Sequence, residues 1–388
     1  MKVAMVDPSL FTGRYDDALC DALARRGHAV RLIGRPLRGT DAITPQGYSY
    51  APRFFRIGEA LRSLVGEGSI GRLFKAADYT LDAIGGPLGA LSADVVHMQW
   101  LPFARADGRL LARLRGRAAL VHTVHNAQAY HGAGDAASAQ GKGYAGLLPR
   151  FDALIVHGEA TRAALCGQGI NPAHVHIVPH PPMRLAQATA ADLAAVPEPR
   201  APRILFFGTV RPYKGLDLLV EAALRLWREG HAFELAIAGK PFMPMDPLLE
   251  PIEAAGFADR LVTELGFLTE GRLDAHLGRA DIIAFPYRAI DSSGAFLSAL
   301  GYGAAMMTSD AGMFGDLAGD AIARFPVGDV DAMVQTLRPL IADKALRARM
   351  GAAARDLGAR LTSWDEAAAM TEQVYAIAQG RFAARCAA

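Results

Sequence analysis

The sequence predicts an α/β protein of two doubly wound domains in tandem, and three observations lead there. Short apolar runs of strand length alternate with segments of helix length through residues 1–185, and the alternation restarts at Arg203. Between the two series, residues 185–202 are rich in Ala and Pro, with Pro197, Pro199 and Pro202, and read as an interdomain linker. A chain of 388 residues with 51% hydrophobic content is long enough to bury two cores. Two such domains leave a cleft between their facing strand ends, and parallel sheets bind ligands beyond the carboxyl ends of their strands.

The chain opens with a strand at 2–6, the loop DPSLFTGRYDD and a helix from Asp16 to Arg26, which Gly27 stops before a second strand at 29–33. This βαβ opening lacks G-x-G-x-x-G, which argues against a dinucleotide-dependent oxidoreductase. Gly13 offers close backbone approach to a ligand at the top of the first strand, or serves as a plain turn glycine. Farther on, Ile70, Leu73, Phe74, Ala77, Leu81 and Ile84 keep a helical apolar spacing beside Arg62, Arg72 and Lys75. Phe54 and Phe55 lie between Arg53 and Arg56. This basic region suits a helix packed on its own core; as exposed aromatics among cations, it also suits an anionic membrane interface.

Further strands are expected at 95–98, 120–124, 154–157 and 175–178. Two end in polar residues: VVHMQW places His97, Gln99 and Trp100 at one strand end, and VHTVHN places His125 and Asn126 at another. His157, in IVHGEATRAAL, precedes a helix and reads as a capping or packing residue.

In the second half, strands are expected at 204–207, 233–238, 261–262, 281–285, 305–308 and 321–325. Helices alternate with them, one of them including 331–340, and a final helix over 365–378 follows Ser363 and Trp364. Two loops stand out. In DIIAFPYRAIDSSGAFLSAL a strand runs through Ser292, Ser293 and Gly294 into a helix reaching Leu300, which offers unpaired N–H groups and the positive end of a helix dipole. In ILFFGTVRPYKGLDLLVEA a strand and the Gly208 turn precede Arg211 and Lys214, again ahead of a helix. Together the loops can hold a diphosphate from two sides. The plain alternatives are a surface ion pair for Lys214 and an N-cap for Ser293.

Composition excludes other classes. No apolar run approaches the about 20 residues of a membrane-spanning helix, and MKVAMVDPSL lacks a signal peptide's apolar region, so a cytoplasmic location is expected. Cys20, Cys166 and Cys386 have no metal or redox spacing. Residues 1–185 carry 21 Lys and Arg against 14 Asp and Glu, while the remainder is acidic. That basic half suits an acidic partner, such as an anionic membrane surface or a lipid diphosphate, or is an ordinary solvated surface. The basic residues form no compact run interleaved with aromatics beyond Arg53–Arg56, which leaves nucleic-acid binding without support.

The order G-T-V-R-P-Y-K-G at 208–215, I-A-G-K-P at 237–241, L-G-F at 265–267, A-D-I-I-A-F-P-Y-R at 280–288, S-S-G at 292–294 and G-Y-G-A-A-M-M-T-S-D at 301–310 resembles a GT-B glycosyltransferase of the family 4 type (glycosyl transferases group 1). It is similar to the bacterial exopolysaccharide mannosyltransferases. R-G-H at 26–28, His97, Trp100, H-N at 125–126 and S-W-D-E at 363–366 extend the likeness over nearly the whole chain. The resemblance implies two Rossmann-like doubly wound domains facing across a cleft. Residues 1–185 would bind the acceptor, residues 203–364 the nucleotide sugar, with 186–202 as linker and the helix 365–388 packing back on the first domain. It also implies sugar transfer from a nucleotide diphosphate sugar, GDP-mannose or a UDP-sugar, to a lipid-linked or polysaccharide acceptor. The implied seat is cytoplasmic, or peripheral on the inner face of the membrane. Arg211 and Lys214 would stabilise the leaving diphosphate without a metal, joined in donor binding by Gly13, Gly208, Asp291, Ser292, Ser293 and Gly294. His125 would be catalytic, and His97, Trp100 and Asn126 would lie on the acceptor side.

One departure bears on mechanism. The family usually carries two glutamates, the second eight positions after the first and directly before an A-x-x-x-G segment. Here Ile290 and Ser298 occupy those positions, with Asp291 adjacent. A retaining enzyme needs leaving-group stabilisation and a polar group near the sugar, where His125 matches by position. An inverting enzyme needs a general base on the acceptor hydroxyl, for which Asp7, Asp16, Asp135 and His125 are candidates. The missing glutamates also admit a catalytically inactive GT-B protein that binds a sugar nucleotide or glycan as a partner subunit.

Overall fold

The computed structural model describes residues 1–39, 41–60, 77–83, 92–126, 143–317 and 320–387. Two compact units emerge: among the described residues, one takes 1–180 and 362–387, the other 181–361.

The first unit is built on a seven-stranded parallel sheet. Its strands are β1 (Lys2–Val6), β2 (Ala29–Gly34), β3 (Ser49–Pro52), β4 (Val95–Met98), β5 (Ala119–Thr123), β6 (Ala153–Val156) and β7 (Val175–Ile177), in the order β3-β2-β1-β4-β5-β6-β7. The central strands are buried throughout, as continuous apolar runs with helices on both faces require. The edge strand β3 had no counterpart in the sequence reading, because SYAP has no apolar run; it pairs in parallel with β2 from Ser49 to Pro52. The second unit holds β8 (Arg203–Phe207), β9 (Glu234–Gly239), β10 (Leu261–Leu265), β11 (Ile282–Phe285), β12 (Ala305–Ser309) and β13 (Ile322–Phe325), also parallel, in the order β10-β9-β8-β11-β12-β13. The order reverses between β1 and β4 in one sheet and between β8 and β11 in the other. At such switch points the loops beyond adjacent strands diverge to opposite faces and leave a crevice.

Three expectations change. Residues 186–202, expected as a linker, are held on the second unit. The Ala186 N–H donates to Glu270 and the Ala188 N–H to Asp274, and a capping box of Thr189 with Asp192 opens a short helix, Ala190–Ala195. Arg203, wholly buried at the start of β8, then donates to Glu234 at 2.9 and 2.7 Å and to the Pro197 carbonyl at 2.7 Å. Phe54 and Phe55 are buried rather than presented to a membrane: both rings contact Tyr79 in the first core, and Phe55 adopts φ 54° to turn inward. The last helix, Trp364–Ala387, runs well past residue 378 and close to the span 365–388, and starts from reciprocal bonds between Ser363 and Glu366. It lies in the first unit, where Glu372 accepts from Arg26 and the Tyr375 hydroxyl meets His97.

Of the amphipathic segment, residues 77–83 are helical and Leu81 is exposed. Ile70, Leu73, Phe74, Ile84, Arg62, Arg72, Lys75 and the base candidate Asp135 lie outside the described residues. No described helix is long and apolar enough to cross a membrane.

Candidate active site

In the second unit the two loops singled out in the sequence leave β8 and β11, the strands flanking the switch point. They are fastened together. Arg288, of the P-Y-R segment, donates to both carboxylate oxygens of Asp217 (2.8 and 2.6 Å) and to the Pro212 carbonyl, and its backbone N–H donates to the Tyr213 carbonyl. Gly215 caps the turn at φ 69°, where a Cβ would stand 1.9 Å from the Pro286 carbonyl oxygen, so no other residue lets the loops approach this closely.

Lys214 is the centre of this arrangement. It sits on the turn Pro212–Lys214 and is only 7% exposed; its ammonium lies 5.2 Å from the centroid of the Tyr287 ring and close to Gly208, whose φ of 93° turns the chain beneath it. Among the described residues no carboxylate forms an ion pair with Lys214 or with Arg211. Burial, with the Arg211 charge added, lowers Lys214 to about 8. Arg211 is itself half-buried and stacks its guanidinium 4.1 Å from the centroid of Phe242. Lys240, at the end of β9, lies 5.3 Å from Phe242 and 4.2 Å from Phe267, rings that are 45% and 57% exposed. These three residues lie within or next to the I-A-G-K-P and L-G-F segments, yet no sequence signal marked them as part of a site; only the adjacency of β8, β9 and β10 assembles them.

The Ser292–Gly294 turn is less of a dipole site than the sequence suggested. The helix covers only Gly294–Ala299 before a 3-10 turn, Leu300–Tyr302. Ser293 is an N-cap, its hydroxyl accepting from the Phe296 N–H at 3.2 Å while its carbonyl takes the Leu297 N–H. That leaves the N–H groups of Gly294 and Ala295 without a partner among the described residues. Ser292 and Asp291 are half-buried beside them. At the positions of the family glutamates, Ile290 is buried and the buried Ser298 hydroxyl donates to the Gly294 carbonyl, so neither position carries a carboxylate for a sugar or ribose hydroxyl.

In the first unit, polar side chains line the carboxyl ends of three adjacent strands, and a backbone carbonyl the end of a fourth. Gln99 follows β4, His125 follows β5, His157 follows β6 and Val178 follows β7. Contacts run along them: Gln99 Oε1 to His125 Nε2 at 2.9 Å, His125 Nδ1 to His157 Nε2 at 3.2 Å, and His157 Nδ1 to the Val178 carbonyl at 3.0 Å. Trp100 stacks on His125 with planes 11° apart and donates its indole N–H to Thr12. Tyr15 packs against His125, His157, His180 and Trp364, all at 5.0–5.4 Å between centroids. Burial holds His125 well below the usual imidazole value and His157 down to about 4. Asn126 follows His125 and is half-buried.

Several sequence candidates are placed differently. His97 is wholly buried, with Nδ1 on the Tyr375 hydroxyl and Nε2 on Thr123, and burial lowers it to about 3; it is a core histidine that no acceptor can reach. Asp7 and Asp16 are likewise fully buried, which raises both, and neither is exposed to a bound hydroxyl. Asp7 instead accepts from the Ser9 and Thr12 N–H groups and shapes the loop after β1. Gly13 begins the helix Gly13–Arg25, and a Cβ there would meet the Ile43 side chain at 3.2 Å.

Residues 12–181 match the family described as Glycosyltransferase Family 4, and residues 201–343 the family described as Glycosyl transferases group 1. Two doubly wound sheets together with these matches define a glycosyltransferase of GT-B architecture. Over 314 residues, 75% of this chain and 74% of the other, the sequence is 29% identical to D-inositol 3-phosphate glycosyltransferase of Xylanimonas cellulosilytica. A stretch of 99 residues, 25% of this chain and 27% of the other, is 30% identical to GDP-mannose:glycolipid 4-beta-D-mannosyltransferase of Xanthomonas campestris pv. campestris. Anabaena HepE in complex with UDP-glucose has the same fold, with a TM-score of 0.67 at 14% identity over 96% of this chain and 98% of that one. The chain belongs to the group 1, family 4 glycosyltransferases.

Proposed function

We propose that the protein moves a sugar from a nucleotide diphosphate sugar, GDP-mannose or a UDP-sugar, to a lipid-linked or glycan acceptor, and that the loops after β8 and β11 hold the diphosphate. One observation carries the donor site: Lys214 is buried beside Arg211 with no carboxylate ion-paired to either among the described residues. A buried, unpaired cation is unfavourable, and an arriving diphosphate offsets that cost. As the glycosidic bond breaks, negative charge grows on the departing diphosphate, and Arg211 and Lys214 stabilise it without reorganising. Gly208 leaves room for the phosphates under Lys214, and Ser292, Gly294 and Asp291 line the opposite loop. Phe242 and Phe267, with Lys240 between them, offer faces on which the base can stack. This cation pair makes a divalent metal unnecessary for neutralising the leaving group.

The named substrates of the Xanthomonas relative support GDP-mannose and a glycolipid, and the UDP-glucose bound to HepE keeps UDP-sugars close behind. The basic charge of residues 1–185 favours an acidic acceptor such as a lipid diphosphate. The test is a thermal-shift and diphosphate-release screen against GDP-, UDP-, ADP- and dTDP-sugars, first without added metal and then with Mg²⁺. Stabilisation by one nucleotide, with release in the absence of metal, is expected. No response to any nucleotide overturns the assignment of the two loops.

A further inference from the structure

The buried Lys214 ammonium has no carboxylate partner among the described residues, and what faces it instead is the ring of Tyr287. Tyr287, the tyrosine of the P-Y-R segment, is held at its backbone. Its carbonyl accepts from the Ser309 hydroxyl at 2.6 Å, and the next N–H, that of Arg288, donates to the Tyr213 carbonyl. Three rings then fix its plane: Phe285 and Tyr213 meet it edge to face at 5.7 and 6.1 Å between centroids, and Phe314 is tilted against it at 5.6 Å. The ring so held presents a face to the ammonium, 5.2 Å from its centroid and inside the about 6 Å over which a cation is drawn to an aromatic face. The ring, not the hydroxyl, makes this contact; the hydroxyl is buried beside Ser293 with no hydrogen bond among the described residues. A carboxylate in the same place would hold the cation and cancel its field at once. A ring attracts through its quadrupole and carries no net charge, so the positive charge stays available to an anion.

We propose that Tyr287 is a positioning residue of the diphosphate site, whose ring face holds Lys214 in place as the ammonium and leaves its charge unneutralised for the leaving group. This rests on the reading of the loops after β8 and β11 as the donor site and adds the residue that keeps their cation ready. Burial and the neighbouring Arg211 both work against the charge on Lys214, which titrates at about 8, and the ring face works against them. Other charged or titratable groups around the pair are few. Arg211 and Tyr213 stand on the loop after β8, and Arg288 on the loop after β11 is taken up by Asp217 of the helix Leu216–Arg228. From β12 and the segment beyond it, the groups that touch Tyr287 are Ser309 and Phe314, neither charged. Without the ring's attraction the ammonium gives up its proton at lower pH, and the site loses its cation nearer neutrality.

Carbon-13 spectroscopy of the full chain labelled at lysine Cε tests this without turnover. The chain has six lysines, and Lys214→Met assigns the signal of interest. Tyr287→Phe keeps the aromatic face and should leave the Lys214 titration midpoint in place. Tyr287→pentafluorophenylalanine, introduced at that codon alone, keeps the shape of the ring but removes its negative face. It should lower the midpoint by about one pH unit, a tenfold shift in the proton equilibrium. With the donor found by the nucleotide screen, the alkaline limb of kcat/KM, which reports the free enzyme, should move down by the same amount in the fluorinated variant. A ring that serves only as packing predicts the same midpoint in the Phe and fluorinated proteins. A midpoint unmoved or raised in the fluorinated variant, relative to Tyr287→Phe, therefore overturns the proposal. If no nucleotide stabilises the wild type, it is the donor-site reading of the loops that fails, and the fluorinated midpoint still decides whether the ring holds the cation.

Discussion

Replacing Lys214 by methionine separates the two demands on that side chain. The side chain is buried, with its ammonium by Gly208 and the Tyr287 ring, and its charge sits where no carboxylate of the described residues pairs with it. Its value falls from 10.5 to about 8, so holding it protonated in the folded state costs about 3 kcal/mol at neutral pH. The sign follows from linkage. Below pH 8 the ammonium is charged in both folded and unfolded chains and the cost is present in full. Between pH 8 and about 10.5 the folded chain loses the proton first, so the wild type gains stability as pH rises, and above that window the cost is gone. In Lys214→Met the cost disappears, and stability at pH 7 should rise by up to about 3 kcal/mol, with the difference from wild type fading by pH 10.5. Turnover should move the opposite way, falling about 10²- to 10³-fold, because the cation that meets the growing diphosphate charge is lost. Urea denaturation at pH 7 and at pH 10, with diphosphate release from the responding nucleotide sugar, measures both. A variant less stable than wild type at pH 7 that still turns over within a few-fold refutes the reasoning.

Three further outcomes can be measured on the same footing. Gly215→Ala forces a side chain into φ 69° and against the Pro286 carbonyl, so it should cost about 3 kcal/mol or more in urea denaturation and abolish nucleotide-induced thermal stabilisation. Glu234→Ala leaves Arg203 buried without its carboxylate and should cost about 3–5 kcal/mol, read from the shift in urea midpoint, because the Arg203 fork also holds Pro197. Ser293→Ala removes the cap on Phe296 and the hydroxyl beside Tyr287 and should lower stability by about 1 kcal/mol while turnover stays within a few-fold; a large loss of rate would give the hydroxyl a role on the substrate.

The sequence determined what depends on neighbours a few residues apart. Strand-length apolar runs bounded by glycine and proline marked nearly every strand, and R-P-Y-K-G and S-S-G marked both loops of the donor half, because a run buried on both faces and a tight turn impose their composition locally. The edge strand β3 escaped for the same reason: exposed on one side, it needs no apolar run. Tertiary structure decided how these pieces are used. Strand order sets β8 beside β11 and β9, and so joins Gly215 to Pro286, Lys214 to Tyr287 and Arg211 to Phe242, while Arg288 is taken up by Asp217. His97 and His125 look alike in sequence, each at or just past the end of a strand. The packing of the helix Trp364–Ala387, almost 280 residues farther along, buries the first against Tyr375, whereas the second joins the line from Gln99 to Val178. A side chain's burial and partners are properties of the assembled sheet, and residues so far apart in the chain carry no local mark of the neighbours they will meet.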